Sequence, residues 1–199
     1  MAGRRPGATL ARVSPMTGPA DWPGAIHQAL GTLGVRQVAY VPDAGHARLI
    51  ELAHGDPQMR AVVLTTEEEG VALLAGAWLG GERGVLLMQS SGVGNCVNML
   101  SVNRACRLPL LTLVTMRGEW GEFNPWQLAM GQTAAAALEL AGAIVQRLDE
   151  PGLAGETVRA AGRIAFEGQT PVAVLIGQRL IGAKSFGGEG GGADGSEAE

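Results

Sequence analysis

The chain has 199 residues, of which 46% are hydrophobic and 17% charged. This composition predicts one domain that buries a full core and excludes a chain that is disordered throughout. The formal net charge of −4 gives no basic surface for nucleic acid, and no apolar run reaches the roughly 20 residues that cross a bilayer. We therefore expect no nucleic-acid or membrane partner.

The two ends of the chain differ in charge from the part between them. Residues 1–16 contain three arginines and no acid, whereas residues 187–199 contain four acids, six glycines and no base. Neither end has an apolar set to bury, so we expect a disordered basic arm (1–16), a folded domain (17–186) and a disordered glycine-rich acidic tail (187–199). For the basic arm, a solvated segment is favoured over a targeting role, because it lacks the apolar stretch of a secretory signal.

The cysteines predict where the protein resides. Cys96 and Cys106 are the only two, and neither lies in a metal-site spacing such as C-x-x-C. Two cysteines do not make a disulfide framework, so we expect a reduced, cytoplasmic protein.

Predicted helices and strands alternate along the chain. The predicted helices are 25–33, 47–52, 67–79, 93–105, 134–140 and 152–166. The predicted strands are 38–41, 61–64, 84–88, 110–114, 144–148 and 171–176. The strands are unbroken apolar runs, which is typical of a sheet covered on both faces. The fold class is therefore three-layer α/β/α with a central, mostly parallel six-stranded sheet.

Four polar loops follow predicted strands. They are 42–43, 65–69, 89–95 and the long aperiodic segment 116–127. The carboxyl ends of parallel strands meet at one edge of the sheet, where ligands of such folds bind. The sequence thus predicts a site at that edge.

Three acids, Glu67, Glu68 and Glu69, begin the third helix. Acids in a first turn favour the positive end of the helix dipole, and Thr65 with Glu68, or Thr66 with Glu69, fits a capping box. Three acids exceed what capping requires and point in different directions around the helix. One of them is therefore free to face a ligand.

The loop after the third strand reads Met88-Gln89-Ser90-Ser91-Gly92-Val93-Gly94-Asn95. Its glycines alone are a weak signal, because strand-to-helix turns commonly contain them, and the loop lacks the lysine of a P-loop. Its polar residues offer uncharged hydrogen bonds to a ligand. Capping of the following helix, above all by Ser91, is the alternative.

Taken together, 67–79 and 88–98 resemble the pyrimidine-binding (PYR) domain of thiamine-diphosphate-dependent decarboxylases of the sulfopyruvate and phosphonopyruvate decarboxylase type. The resemblance covers about residues 20–182. In this family, a key catalytic carboxylate hydrogen-bonds to the pyrimidine N1′ of the cofactor and activates the cofactor. Aligning Ala77-Trp78 with the family's Gly/Ala-aromatic pair places this carboxylate at Glu68. Glu67 is the runner-up.

The resemblance also implies further site residues. Cofactor binding falls to Glu68 and to members of the loop after the third strand, in which Ser90 and Val93 replace the family's Asn and Leu. These members are Gln89, Ser90, Ser91, Gly92 and Asn95.

Substrate binding is implied for four residues, Asp43, His46, Arg117 and Gln127. Ala44 departs from the family's Pro-Asp-Ser, so Asp43 is the better candidate near the first strand, although Pro-Asp is also a common turn pair. His46 suits a proton donor, but a lone loop histidine is more often solvated. Arg117 suits a carboxylate plus sulfonate or phosphonate, unless it pairs internally with Glu119 or Glu122.

The family's Gly-Asp-Gly…Asn signature, which holds the diphosphate through a divalent metal, is absent from the 199 residues. We therefore expect no metal ligand here, and a separate beta subunit that carries Mg²⁺ and the diphosphate of thiamine diphosphate. The predicted function is the alpha subunit of a two-subunit decarboxylase of small anionic 2-oxo acids, a carboxy-lyase that forms a homodimer when isolated. The alternatives are a non-catalytic or regulatory PYR-like binding domain and a flavodoxin-like nucleotide binder.

Overall fold

A computed structural model describes residues 21–182 of the chain. The predicted arm 1–16 and tail 187–199 lie outside the described residues, as do the outermost residues of the predicted domain 17–186. Those boundaries stay predictions.

Helices and strands alternate through residues 21–182. The strands are β1 Val35–Tyr40, β2 Arg60–Val63, β3 Arg83–Gln89, β4 Leu110–Thr115, β5 Ile144–Leu148 and β6 Pro171–Ile176. The helices are α1 Trp22–Thr32, α2 Ala47–Gly55, α3 Glu67–Leu79, α4 Ser90–Cys106, α5 Leu128–Leu140, α6 Ala154–Gly168 and α7 Gln178–Ile181. Short 3₁₀ turns lie at Ala44–His46, Pro125–Gln127 and Pro151–Leu153. Within this part of the chain, no helix combines the length and apolarity that crossing a membrane requires.

The six strands form one sheet in the order β2-β1-β3-β4-β6-β5. Every neighbouring pair is parallel, so the predicted mostly parallel sheet is confirmed and is in fact parallel throughout. The chain runs from β1 outward to β2 and then returns to place β3 on the other side of β1. This change of direction leaves a crevice outside the carboxyl ends of β1 and β3, the position where ligands bind in such sheets.

Two separate cores cover the sheet, which confirms the three-layer prediction. On one face, α1, α2 and α6 bury residues such as Ile26, Leu49 and Val158 against the strands. On the other face, α3, α4 and α5 bury residues such as Val71, Leu100 and Leu138. The helix that begins with the three acids therefore lies beside α4 on one face, with its first turn at the carboxyl edge of the sheet.

Two helix starts differ from their predictions. α5 begins at Leu128 rather than at residue 134, because a 3₁₀ turn led by Pro125 feeds directly into it. Gly131 lowers the helical signal there, yet it is required by packing, since a side chain at this position would collide with the backbone of Arg117. α4 begins at Ser90 rather than at residue 93, with Gln89 as its N-cap residue.

Candidate active site

The carboxyl ends of β1, β3 and β4, here called the site edge, bring the predicted polar loops together. Hydrogen bonds join Asp43, in the loop after β1, to Gln89 at the end of β3 and to Thr115 at the end of β4. Others join the start of α3 to α4 and the segment after β4 to the first residue of α4. The expectation that these loops gather at one edge is confirmed.

The acids at the start of α3 have different environments. Glu67 is buried, 8% exposed, and its Oε2 accepts a hydrogen bond of 2.8 Å from Asn95 Nδ2. Its carboxylate fills the space where a side chain on Gly92 would lie, so any larger residue there would displace the Glu67 side chain. Glu68 is exposed, and no hydrogen bond joins its carboxylate to another described residue. One acid is thus fixed within the chain, and its neighbour faces outward.

Glu69 has the capping role that the sequence offered as one alternative. Its Oε2 accepts hydrogen bonds from the backbone N–H groups of Thr65 (2.8 Å) and Thr66 (3.4 Å), and Thr66 is the N-cap residue of α3. The helix start is therefore stabilised without using Glu68. This leaves Glu68 as the acid of the three without a structural partner in the described residues.

Asp43 is the centre of a hydrogen-bond network that spans three strands. Its carboxylate accepts bonds from Gln89 Nε2 (2.9 Å), Thr115 Oγ1 (2.7 Å) and the backbone N–H of Gly45 (3.0 Å). Burial raises the pKa of the Asp43 carboxyl, but these hydrogen bonds outweigh burial and lower the pKa overall. Asp43 is consequently an anion at neutral pH and ties the loop after β1 to the site edge.

His46 lies beneath Asp43 and is fully buried. Its Nε2 lies 3.3 Å from the carbonyl oxygen of Met88 and 3.1 Å from that of Leu113. Both partners only accept, so Nε2 carries the proton, while the buried Nδ1 has no partner among the described residues. Burial lowers the pKa of His46, so the ring is neutral at neutral pH. Its contacts bridge β3 and β4, and its predicted contact with substrate stays a prediction.

The predicted loop 89–95 is instead the last residue of β3 and the first turns of α4, and its residues are largely bonded to one another and to their neighbours. Ser91 Oγ donates to Gln89 Oε1 at 2.9 Å, and the buried Ser90 accepts a bond of 3.1 Å from the backbone N–H of Arg117. Asn95 is exposed on the first turns of α4 and reaches Glu67. This segment is therefore pre-organised, and its cofactor-binding role stays a prediction.

Residues 117–124, here called the Arg117 loop, fold around Glu122. Arg117 donates from Nε and Nη2 to the two oxygens of Glu122, each at 2.7 Å, and these side chains are 13% and 2% exposed. Glu122 also accepts bonds from the backbone N–H groups of Gly118 and Asn124. The bonds from Arg117 are the main cause that lowers the pKa of Glu122 to about 2. Of the two internal partners considered for Arg117, Glu122 is the one found.

Gln127 lies at the end of the turn that precedes α5. It is 9% exposed, and its Oε1 is buried without a hydrogen-bond partner in the described part of the chain. A buried carbonyl oxygen without a donor is costly, so this atom is suited to accept a bond from a bound molecule. Trp126, beside it, is 76% exposed.

Two polar residues at this edge were absent from the predicted site. Thr115, the last residue of β4, bonds to Asp43, and Gln178, the first residue of α7, bonds to Glu122. Both follow the rule that polar residues at the carboxyl ends of strands gather at one edge, which was the available signal. Among residues 21–182, no group of three or more histidine, cysteine or acidic side chains is placed to hold a metal ion.

The chain is similar to sulfopyruvate decarboxylase alpha subunits of methanogenic archaea. It is 31% identical over 153 residues to the protein of Methanococcus maripaludis, covering 76% of this chain and 92% of the relative. The identity to the Methanothermobacter thermautotrophicus alpha subunit is also 31% over 153 residues, covering 93% of that relative. Phosphonopyruvate decarboxylase of Streptomyces viridochromogenes is 40% identical over 110 residues, which are 54% of this chain and 28% of that one.

The fold is similar to part of a solved 2-oxoglutarate:ferredoxin oxidoreductase from Magnetococcus marinus. The TM-score is 0.65 at 15% identity, over 80% of this chain and 29% of the oxidoreductase chain. At this identity the likeness concerns the fold alone. No protein-family model matches the chain.

Proposed function

The chain belongs to the family of sulfopyruvate decarboxylase alpha subunits, and on that premise we propose that it is the alpha subunit of a thiamine-diphosphate-dependent decarboxylase of small anionic 2-oxo acids. Sulfopyruvate and phosphonopyruvate are the leading substrates. The observation that carries the proposal is the contrast between Glu67 and Glu68. Glu67 is buried and bonded within the chain, whereas Glu68 stands at the same helix start with its carboxylate directed outward.

The residues at the start of α3 fit the pyrimidine half of thiamine diphosphate. A carboxyl group is the partner that the N1′ atom of the pyrimidine requires, and Glu68 offers one at a surface that a second subunit can cover. Gln89, Ser91 and Asn95 would form the neighbouring polar wall, and the buried Ser90 and Gly92 would support it from behind. When bound, the cofactor supplies the nucleophilic carbon that adds to the 2-oxo group and accepts the electrons released with carbon dioxide.

Glu68 is the proposed catalytic residue of this chain, since it would share a proton with N1′. Its position is fixed from two sides. Glu67 ties the first turn of α3 to α4 through Asn95, and Glu69 caps the same turn. These contacts hold the backbone of Glu68 still, which is what a preorganised proton-sharing group requires.

Arg117, Gln127 and Asp43 are the proposed substrate-binding residues, and the anionic groups of the substrate fall to Arg117, because the ionised carboxylate of Asp43 would repel them. Glu122 engages the Nε and Nη2 side of Arg117, and Nη1 makes no hydrogen bond to other described residues, so one edge of the guanidinium remains for an anion. Asp43 lies near enough to contribute to the raised pKa of Arg117, after the larger effect of the Glu122 bonds, so the two residues share one region. His46 supports Asp43 from beneath in this account.

A partner subunit completes the proposed enzyme. The matched relatives are named alpha subunits, and the chain spans more than 90% of the first two. We propose that a beta subunit holds the diphosphate and Mg²⁺ and covers the face formed by α3 and α4. Leu79 (76% exposed) and Val97 (44% exposed) lie on these two helices, which suits burial against another chain. The isolated chain would form a homodimer through the same face.

The test is reconstitution of the enzyme from its parts. The full chain, a candidate beta subunit and their mixture are each assayed for carbon dioxide release from sulfopyruvate and from phosphonopyruvate, with thiamine diphosphate and Mg²⁺. We expect release from the mixture only. Release by the beta subunit alone, at the rate of the mixture, would support a non-catalytic binding or regulatory role for this chain instead.

A further inference from the structure

Gln178 is buried, 1% exposed, and joins the end of β6 to the Arg117 loop. Its Oε1 accepts hydrogen bonds from the backbone N–H groups of Glu119 (2.9 Å) and Trp120 (3.0 Å). Its Nε2 donates to Glu122 Oε2 at 3.0 Å. One side-chain amide thus engages both the backbone of the loop and the carboxylate at the loop's centre.

Glu122 in turn determines how Arg117 is oriented. The pairing is side-on and bidentate, so rotation of the Glu122 carboxylate would rotate the guanidinium with it. The two side chains are 2% and 13% exposed, so water does not readily replace either partner. The contacts form a chain from Gln178 through Glu122 to Arg117.

The first part of the loop is also fixed to the outer strand of the sheet, through Glu119. Glu119 pairs with Arg147 of β5, and Glu119 Oε2 also accepts a bond of 3.3 Å from the backbone N–H of Gln178. Gln178 therefore lies between the two acids of the loop and bonds to both.

We propose that Gln178 is a positioning residue that sets substrate selectivity: through Glu122 it aims the free edge of Arg117 at the second anionic group of the substrate. This inference rests on the proposed function, in which the free edge of Arg117 binds an anionic group of the substrate. Decarboxylation of a 2-oxo acid that carries a sulfonate or phosphonate is expected to depend on Gln178. Decarboxylation of a 2-oxo acid whose only anionic group is its carboxylate, such as pyruvate, is not.

The experiment compares two substrates within each variant of the assembled complex. For Gln178→Met, the ratio of kcat/KM for sulfopyruvate to kcat/KM for pyruvate, which lacks the second anion, should fall about tenfold, mainly through KM for sulfopyruvate. The ratio does not depend on how much enzyme is folded. Gln178→Glu, which places a carboxylate against Glu122, should also lower this ratio. It replaces Gln178→Met in the assay if the methionine variant is too unstable to measure.

Thr112→Val is the matched control. Thr112 is equally buried, and its hydroxyl donates one bond of 3.0 Å to the Leu86 carbonyl within the sheet, away from the loop. Its ratio should equal that of the parent protein. An unchanged ratio in Gln178→Met, with a lowered ratio in Arg117→Gln, would overturn the role of Gln178. An unchanged ratio in Arg117→Gln would also overturn the role of Gln178, since the side chain that Gln178 is proposed to orient would then have no effect on selectivity.

A second readout does not require activity. Tryptic cleavage after Arg117, followed by mass spectrometry, reports whether the loop is held in place. We expect faster cleavage there in Gln178→Met than in Thr112→Val. Equal cleavage would overturn the inference even if the complex decarboxylates neither substrate, in which case the proposed function fails separately.

Discussion

Replacing Glu122 with glutamine removes the charge at the centre of the Arg117 loop while keeping the size of the side chain. The pKa of Glu122 lies at about 2, against an ordinary value of 4.5. The full difference corresponds to roughly 3 kcal/mol of folding free energy. Because the carbonyl oxygen of the introduced glutamine can still accept a hydrogen bond from Arg117, we expect a smaller loss of about 1–2 kcal/mol.

The sign of the pH dependence follows from the lowered pKa. The stabilisation by Glu122 is fully present above its ordinary value near 4.5 and is lost as the pH falls toward about 2. At pH 7, we expect Glu122→Gln to unfold about 2–8 °C below the parent protein. At pH 3, the difference between the two proteins should shrink by about half or more.

The assay is thermal unfolding of the full chain, followed by circular dichroism at both pH values. Glu139→Gln is the control, because Glu139 is exposed on α5, and its substitution should change the free energy of unfolding by less than about 0.5 kcal/mol. Equal unfolding temperatures for Glu122→Gln and the parent at pH 7, or a difference that is the same at pH 7 and pH 3, would refute the reasoning.

Two further outcomes concern α3 and α4. Gly92→Ala would displace the Glu67 carboxylate and should lower the free energy of unfolding in urea by about 1–3 kcal/mol. The control is Gly76→Ala in α3, where the added methyl group meets open space and should be neutral or slightly stabilising. Equal effects of the two substitutions would contradict the packing of Glu67 against Gly92. Burial raises the pKa of the Cys96 thiol to about 12, whereas Cys106 is exposed. A thiol reagent at pH 8 should therefore label Cys106 quickly and Cys96 only after denaturation, which mass spectrometry of the peptides can measure.

The sequence was sufficient for the elements whose patterns are local. The bounds of α3, β5 and β6 were predicted as they are found, because apolar periodicity and flanking glycine or proline residues define them. The predicted start of α5 was wrong, because Gly131 weakens the helical pattern in the sequence. Glycine is required at this position since a side chain would collide with the backbone of Arg117, a contact that the sequence does not reveal. The meeting of the loops at one edge followed from the parallel sheet alone.

The partners within the site depend on contacts that are distant in sequence. Burial of Glu67 requires the space left by Gly92, and the network of Asp43 requires Thr115, 72 residues away. Gln178 reaches Glu122 across 56 residues. No spacing rule connects such pairs, so the sequence indicated which residues are polar and near the edge, but not which of them are already engaged.

The most direct test of the account is the rate of carbon dioxide release by the assembled complex carrying Glu68→Gln, compared with Glu67→Gln and the parent. We expect Glu68→Gln to lower kcat by about 100-fold or more while the subunits still assemble. Glu67→Gln should retain a substantial part of the activity, because its amide can still accept the bond from Asn95. Full activity in Glu68→Gln, or a loss confined to Glu67→Gln, would contradict the assignment of Glu68 as the catalytic carboxylate.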